Sequence, residues 1–115
     1  MKAFRFNLEA VLMLRRQDEE KMRMAYAQVV KERVENENKM RTLLSQLDIL
    51  NEKIKDVRGK NFNIALEKQF SGSTLALKDK VLDLNKHLEG IYSREEAALK
   101  EFIIAKKAHE VMERL

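Results

Sequence analysis

The chain has no cysteine, no proline and no tryptophan, and only three glycines among its 115 residues. Each absence removes a class of structure. Without cysteine there is no disulfide framework and no thiolate chemistry, and an oxidising compartment is not implied. Without proline, nothing forces a kink or a stop on a helix. Aromatic residues make up 6% of the chain, and they are not interleaved with a basic face, so nucleic acid is not an expected partner. No apolar run approaches the roughly 20 residues that would span a bilayer, so no transmembrane segment is expected. The opening MKAFRFNLEAVLMLRR is basic and partly apolar, as a signal peptide would be. Glu9, Arg15 and Arg16 interrupt its apolar stretch and no small-residue cleavage site follows, so a cytoplasmic location is expected.

What remains is a helix-former's composition. Charged residues account for 37% of the chain, and lysine, arginine, glutamate, alanine and leucine dominate, as they do in long helices. The net charge of +4 is unevenly spread: about +3 in residues 1–16, −1 in 17–56, +3 in 57–80 and −1 in 81–115. Dense mixed charge along the sides, with i,i+4 pairs both attractive (Glu35 with Lys39) and repulsive (Glu52 with Asp56), is that of a solvated helix surface.

Two apolar stripes step by alternating fours and threes. The first follows Leu8, Leu12, Met22, Tyr26, Val29, Met40, Leu43, Leu47, Leu50, Ile54 and Val57, with Arg15, Glu19, Arg33 and Asn36 in the same register. The second follows Leu77, Val81, Leu84, Leu88, Ile91, Ala98, Phe102, Ala105 and Met112, with Glu95 and His109 in register. Steps averaging 3.5 residues keep side chains on one narrow helix face, which is a coiled-coil seam. A seam must meet another seam. The fold class expected is therefore all-α, an antiparallel two-helix coiled-coil hairpin read as one domain.

The boundaries follow from local chemistry. Asn7 is a good N-cap, Glu9 falls in the first turn, and Phe6 and Val11 are spaced as a hydrophobic staple. Helix 1 is expected over about 7–58, with Gly59 taking a left-handed C′ conformation. The segment GKNFNIALEKQFSGST is the clear break in pattern, giving a connector over 59–73 in which Asn63 to Phe70 has short-helix character. Ser73 or Thr74 would then cap helix 2, over about 74–115. Gly90 lies inside it at a cost of about 1 kcal/mol. Helix 2 would run out before reaching the start of helix 1, leaving Phe4, Phe6, Leu8 and Leu12 with little cover beside Arg15 and Arg16. An uncovered apolar end marks an interface, with a protein partner or an anionic membrane surface as occupants.

No catalytic constellation is present. His87 and His109 lie 22 residues apart, roughly 33 Å along a helix, too far to share a metal. Gly59 stands alone rather than in a phosphate-binding loop, and no histidine is placed to activate a serine. The chain is read as a non-enzyme with no cofactor and no metal. Arg15 with Glu19 and Arg33 with Asn36 read as polar seam positions that set pairing and register.

The run Phe4-Arg5-Phe6-Asn7-Leu8-Glu9-Ala10-Val11-Leu12-Met13-Leu14-Arg15 resembles the opening of the FliJ family, F-x-F-x-L-x-x-V-L-x-L-R. The run from Ala105 to Leu115 is similar to that family's basic segment ending in a glutamate–basic–leucine triplet. The resemblance implies a cytoplasmic component of the bacterial flagellar type III export apparatus, peripheral to the inner face of the cell membrane. It implies an antiparallel coiled coil like the stalk of rotary ATPases, with three kinds of partner: the export ATPase hexamer, the cytoplasmic domain of the export gate, and export chaperones. By position, Phe4, Phe6, Leu8, Leu12, Arg15 and Arg16 would face the ATPase ring. Leu43, Leu47, Leu50, Leu77, Val81, Leu84 and Leu88 would lie at the gate-facing part. Family members continue past the triplet that ends here at Leu115, so a shortened chain is expected. An injectisome stalk or a generic coiled-coil scaffold remains the alternative.

Overall fold

The computed structural model describes residues 2–60 and 63–115. It is an all-α helical hairpin of two antiparallel helices, α1 (Lys2–Lys60) and α2 (Ile64–Arg114), of 59 and 51 residues. Among the described residues, neither a glycine nor any other residue has a positive φ.

Both helices keep a seven-residue repeat. On α1 the seam positions are Leu12, Glu19, Tyr26, Arg33, Met40, Leu47 and Ile54, interleaved with Leu8, Met22, Val29, Asn36, Leu43, Leu50 and Val57; all are buried or half-buried. On α2 they are Phe70, Leu77, Leu84, Ile91, Ala98, Ala105 and Met112, interleaved with Thr74, Val81, Leu88, Glu95, Phe102 and His109; these too are buried or half-buried. A repeat of seven on a helix of 3.6 residues per turn holds the seams together only if the helices wrap left-handedly.

Three boundaries differ from those expected of the sequence. First, α1 begins at Lys2, so Asn7 and Glu9 lie inside it and neither caps nor flanks its start. No glycine or proline precedes Asn7 to stop the helix from running on. Second, Gly59 stays right-handed within α1 rather than forming a left-handed cap. Third, α2 begins about ten residues early, at Ile64 rather than near Thr74. Asn63 supplies the cap: its Oδ1 accepts the Ala65 N–H at 2.9 Å and its carbonyl accepts the Glu67 N–H at 2.9 Å. Glu67 sits in the first turn, where the helix dipole favours a carboxylate. Packing explains why the helix runs through Ser71-Gly72-Ser73. Phe70 is buried, as are Ile54, Leu88 and Ile91. Burying a phenylalanine contributes roughly 1.5–3 kcal/mol, more than the ~1 kcal/mol that helical Gly72 costs. Asn61 and Phe62, the rest of the expected connector, lie outside the described residues.

The chain divides into two compact units, Met1–Arg33 with Ile91–Leu115, and Val34–Gly90. In the first unit, facing pairs recur one heptad apart in opposite directions: Glu19 with His109, Tyr26 with Phe102, Arg33 with Glu95. The Tyr26 and Phe102 rings stack at 6.4 Å between centroids and 17° between planes. In the second unit, Arg58 closes the end of α1 onto the start of α2. Its Nε and Nη2 donate to the two Glu67 carboxylate oxygens at 2.7 and 2.8 Å, a fork-to-fork pair in which both partners are geometrically fixed.

Candidate partner-binding surfaces

The polar seam residues meet one another. In the first unit Arg33 Nε donates to Glu95 Oε1 at 2.9 Å, with both side chains mostly covered. Beside it, Arg94 Nη2 donates to Glu32 Oε2 at 2.5 Å across the edge of the seam. Two heptads away, His109 Nδ1 contacts a Glu19 carboxylate oxygen. His109 Nε2 lies 3.2 Å from Glu113 Oε1 but is misaligned with it, and that buried nitrogen makes no hydrogen bond. These layers specify register. Sliding one helix by two heptads would oppose Glu19 to Glu95, and sliding by one would bury a charge against an aromatic or aliphatic side chain. Arg15, expected in the same seam, is instead exposed.

The expected terminal surface is only partly uncovered. Phe6 is 72% exposed, and Arg15 and Arg16 are exposed with it, but Leu8 and Leu12 take seam positions and are half-buried. The expectation that both leucines lack cover is thus corrected: each lies on the face that α1 turns inward. The Phe4 side chain lies outside the described residues. Val11, Met13 and Leu14 are exposed there too.

The second set also belongs to the seam. Leu43, Leu47, Leu50, Leu77, Val81 and Leu84 are half-buried and Leu88 is buried. What faces outward is the flank one position before them. Grooves of ≈ 670 and ≈ 480 Å³ share Gln46 and Lys80, so they form one trough in the second unit. Leu43, Leu50, Leu77 and Leu84 make its floor, and Lys39, Lys53, Lys80 and His87 stand on its rim with Asp83 as the one acid. From Lys39 to Lys53 the trough is roughly 21 Å long, about four helical turns. The signal was in the sequence: Thr42, Gln46, Ile49 and Lys53 repeat the four–three steps one residue ahead of the seam.

On the other flank a groove of ≈ 500 Å³ beside the connector is bordered by Lys55, Lys78 and the Arg58–Glu67 pair. Hydrogen bonding from Arg58, reinforced by its charge, holds the Glu67 carboxyl below the usual carboxylate range and raises the guanidinium in turn. Glu20 is likewise lowered by its hydrogen bond from Arg23. Among the described residues no group of three or more acidic, histidine or cysteine side chains comes together to hold a metal, and no helix is long and apolar enough to cross a membrane. Comparison of the chain with known protein families, with curated proteins and with solved structures gives no match to any of them.

Proposed function

We propose that this chain is a non-enzymatic adaptor of a type III protein export apparatus, built as a coiled-coil stalk of the FliJ kind. In this reading the terminal end, with exposed Phe6, Arg15 and Arg16, enters the export ATPase ring. The basic trough of the second unit receives an acidic amphipathic segment of the export gate's cytoplasmic domain, and export chaperones bind along the exposed faces. The protein works in the cytoplasm, at the inner face of the bacterial membrane. The observation that carries the reading is the division of labour on one hairpin. Heptad seams pair the two helices within each unit, while an apolar-basic end of the first unit and a basic trough of the second stay open to partners. Helix-in-groove docking suits such a trough, with apolar anchors on its floor and carboxylates beside its lysines.

The test is a titration of the chain into a purified flagellar export ATPase, recording hydrolysis and hexamer formation together. The reading requires stimulation that is lost in Phe6→Ser with helicity retained. A charge-reversed trough, Lys53→Glu with Lys80→Glu, should keep that stimulation and lose binding to the gate's cytoplasmic domain. No stimulation and no gate binding would leave a generic coiled-coil scaffold.

A further inference from the structure

The first unit carries a second apolar stripe outside its seam. Ile104, Ala108 and Val111 on α2 and Val11 and Leu14 on α1 step by fours and threes, each one position before a position of the heptad register. Leu14 is 55% exposed, Val111 56% and Ile104 68%. A helix face with this spacing is shaped to take another helix, and Ala108 lets a backbone come close. The unit has reason to accept one: Ile91 is its single fully buried hydrophobic residue among those described.

Charge indicates the occupant. Within the stripe is a groove of ≈ 360 Å³ lined by Arg15, Asp18 and Met22 from α1 and by Glu101, Ile104 and Ala108 from α2. Arg15 and the neighbouring Lys21 balance Asp18 and Glu101, so the flank carries both signs in equal number. A twofold axis can set such a surface against itself, which the mainly basic trough of the second unit forbids. We infer that a second copy of this chain packs on the Leu14–Ile104–Val111 flank, forming a symmetric four-helix assembly. The patch measures roughly 21 Å along the helices and two helix diameters, about 20 Å, across. That falls short of a standard interface of about 800 Å² per partner, so the assembly is weak and reversible, with a Kd of order 10 μM or above.

This inference needs no export role, and because Arg15 belongs both to this groove and to the end proposed to enter the ring, self-association and ring entry would compete. Its test is sedimentation velocity on the full chain from about 2 to 500 μM, where a reversible monomer–dimer equilibrium is expected. Ile104→Lys with Val111→Lys should raise Kd more than about tenfold while circular dichroism and melting stay as in the parent, because both side chains point to solvent. Leu82→Lys, on an exposed position of the second unit, should dimerise like the parent. Arg15→Glu alone should weaken the dimer, and mixing it with a Glu101→Arg variant should restore it. A monomer at every concentration would overturn the inference, as would a dimer untouched by the paired lysine substitutions or a mixture that fails to restore association.

Discussion

Replacing Gly72 and Gly90 by alanine should stabilise the hairpin. Both lie inside α2 with right-handed backbone, and a Cβ built on either meets nothing within 4 Å. Neither a strained conformation nor a clash therefore opposes the change. Alanine exceeds glycine in a helix interior by about 0.8–1.0 kcal/mol, largely because the unfolded chain loses conformational freedom. The two sites are 18 residues apart, roughly 27 Å along the helix, so their effects should add to about 2 kcal/mol. An unfolding entropy near 2.1 cal/mol/K per residue gives roughly 240 cal/mol/K for the chain, and hence a rise in Tm of about 8 °C. Thermal melts followed by far-ultraviolet circular dichroism on the two single variants and the double variant measure this directly. A Tm unchanged or lowered in either single variant would refute the reasoning. It would mean that the glycine is not helical in solution, or that another chain presses against its Cα.

Two further outcomes follow from the ion pairs. Glu95→Gln and Arg33→Gln should each cost about 1–2 kcal/mol, since each removes a charge-assisted hydrogen bond between two mostly covered side chains. The Arg33→Glu, Glu95→Arg exchange should recover most of that in urea melts, and a coupling energy near zero would show that the pair does not hold the register. At the connector, the Glu67 carboxyl is lowered in the folded chain by Arg58. Its contribution is therefore fully present above the ordinary glutamate pKa and fades as pH falls through and below it. A plot of stability against pH should lose a small step in that acidic range when Glu67 is changed to Gln, and should keep its shape if the pair contributes nothing.

How much of this was legible in the sequence depends on the length scale of the signal. The seam repeats seven times on each helix, so every apolar residue assigned to it from spacing, from Leu8 to Met112, is buried or half-buried. Of its polar members, Glu19, Arg33, Asn36, Glu95 and His109 fall inward, while Arg15 does not. That they pair across the hairpin was hidden, because a periodicity fixes faces and not the alignment of two helices. Boundaries were the weak point. Asn7 and Thr74 have the chemistry of caps, but the pattern that decides continues past both. Phe70 lies one heptad before Leu77, a clue outweighed by the serines and glycine that follow it. The outer flanks were overlooked because attention to a seam discounts apolar residues beside it. Ile49 in the trough and Ile104 on the first unit carry the four–three step as plainly as the core does.

The tight closure by Asn63, Arg58 and Glu67 also has a kinetic meaning. The charged partners lie only nine positions apart, so bringing the helices of the hairpin together there costs little loop entropy, whereas Glu19 and His109 are 90 positions apart. Contacts near the connector, including Ile54 and Phe70, can form early, and each heptad then shortens the loop that the next must close. Folding should run as a zipper from the connector toward the chain ends, and opening should begin at those ends. The segment bearing Phe6, Leu14 and Val111 would then be the last to order and the first to loosen, leaving the most adaptable stretch of the hairpin where its uncovered apolar side chains lie.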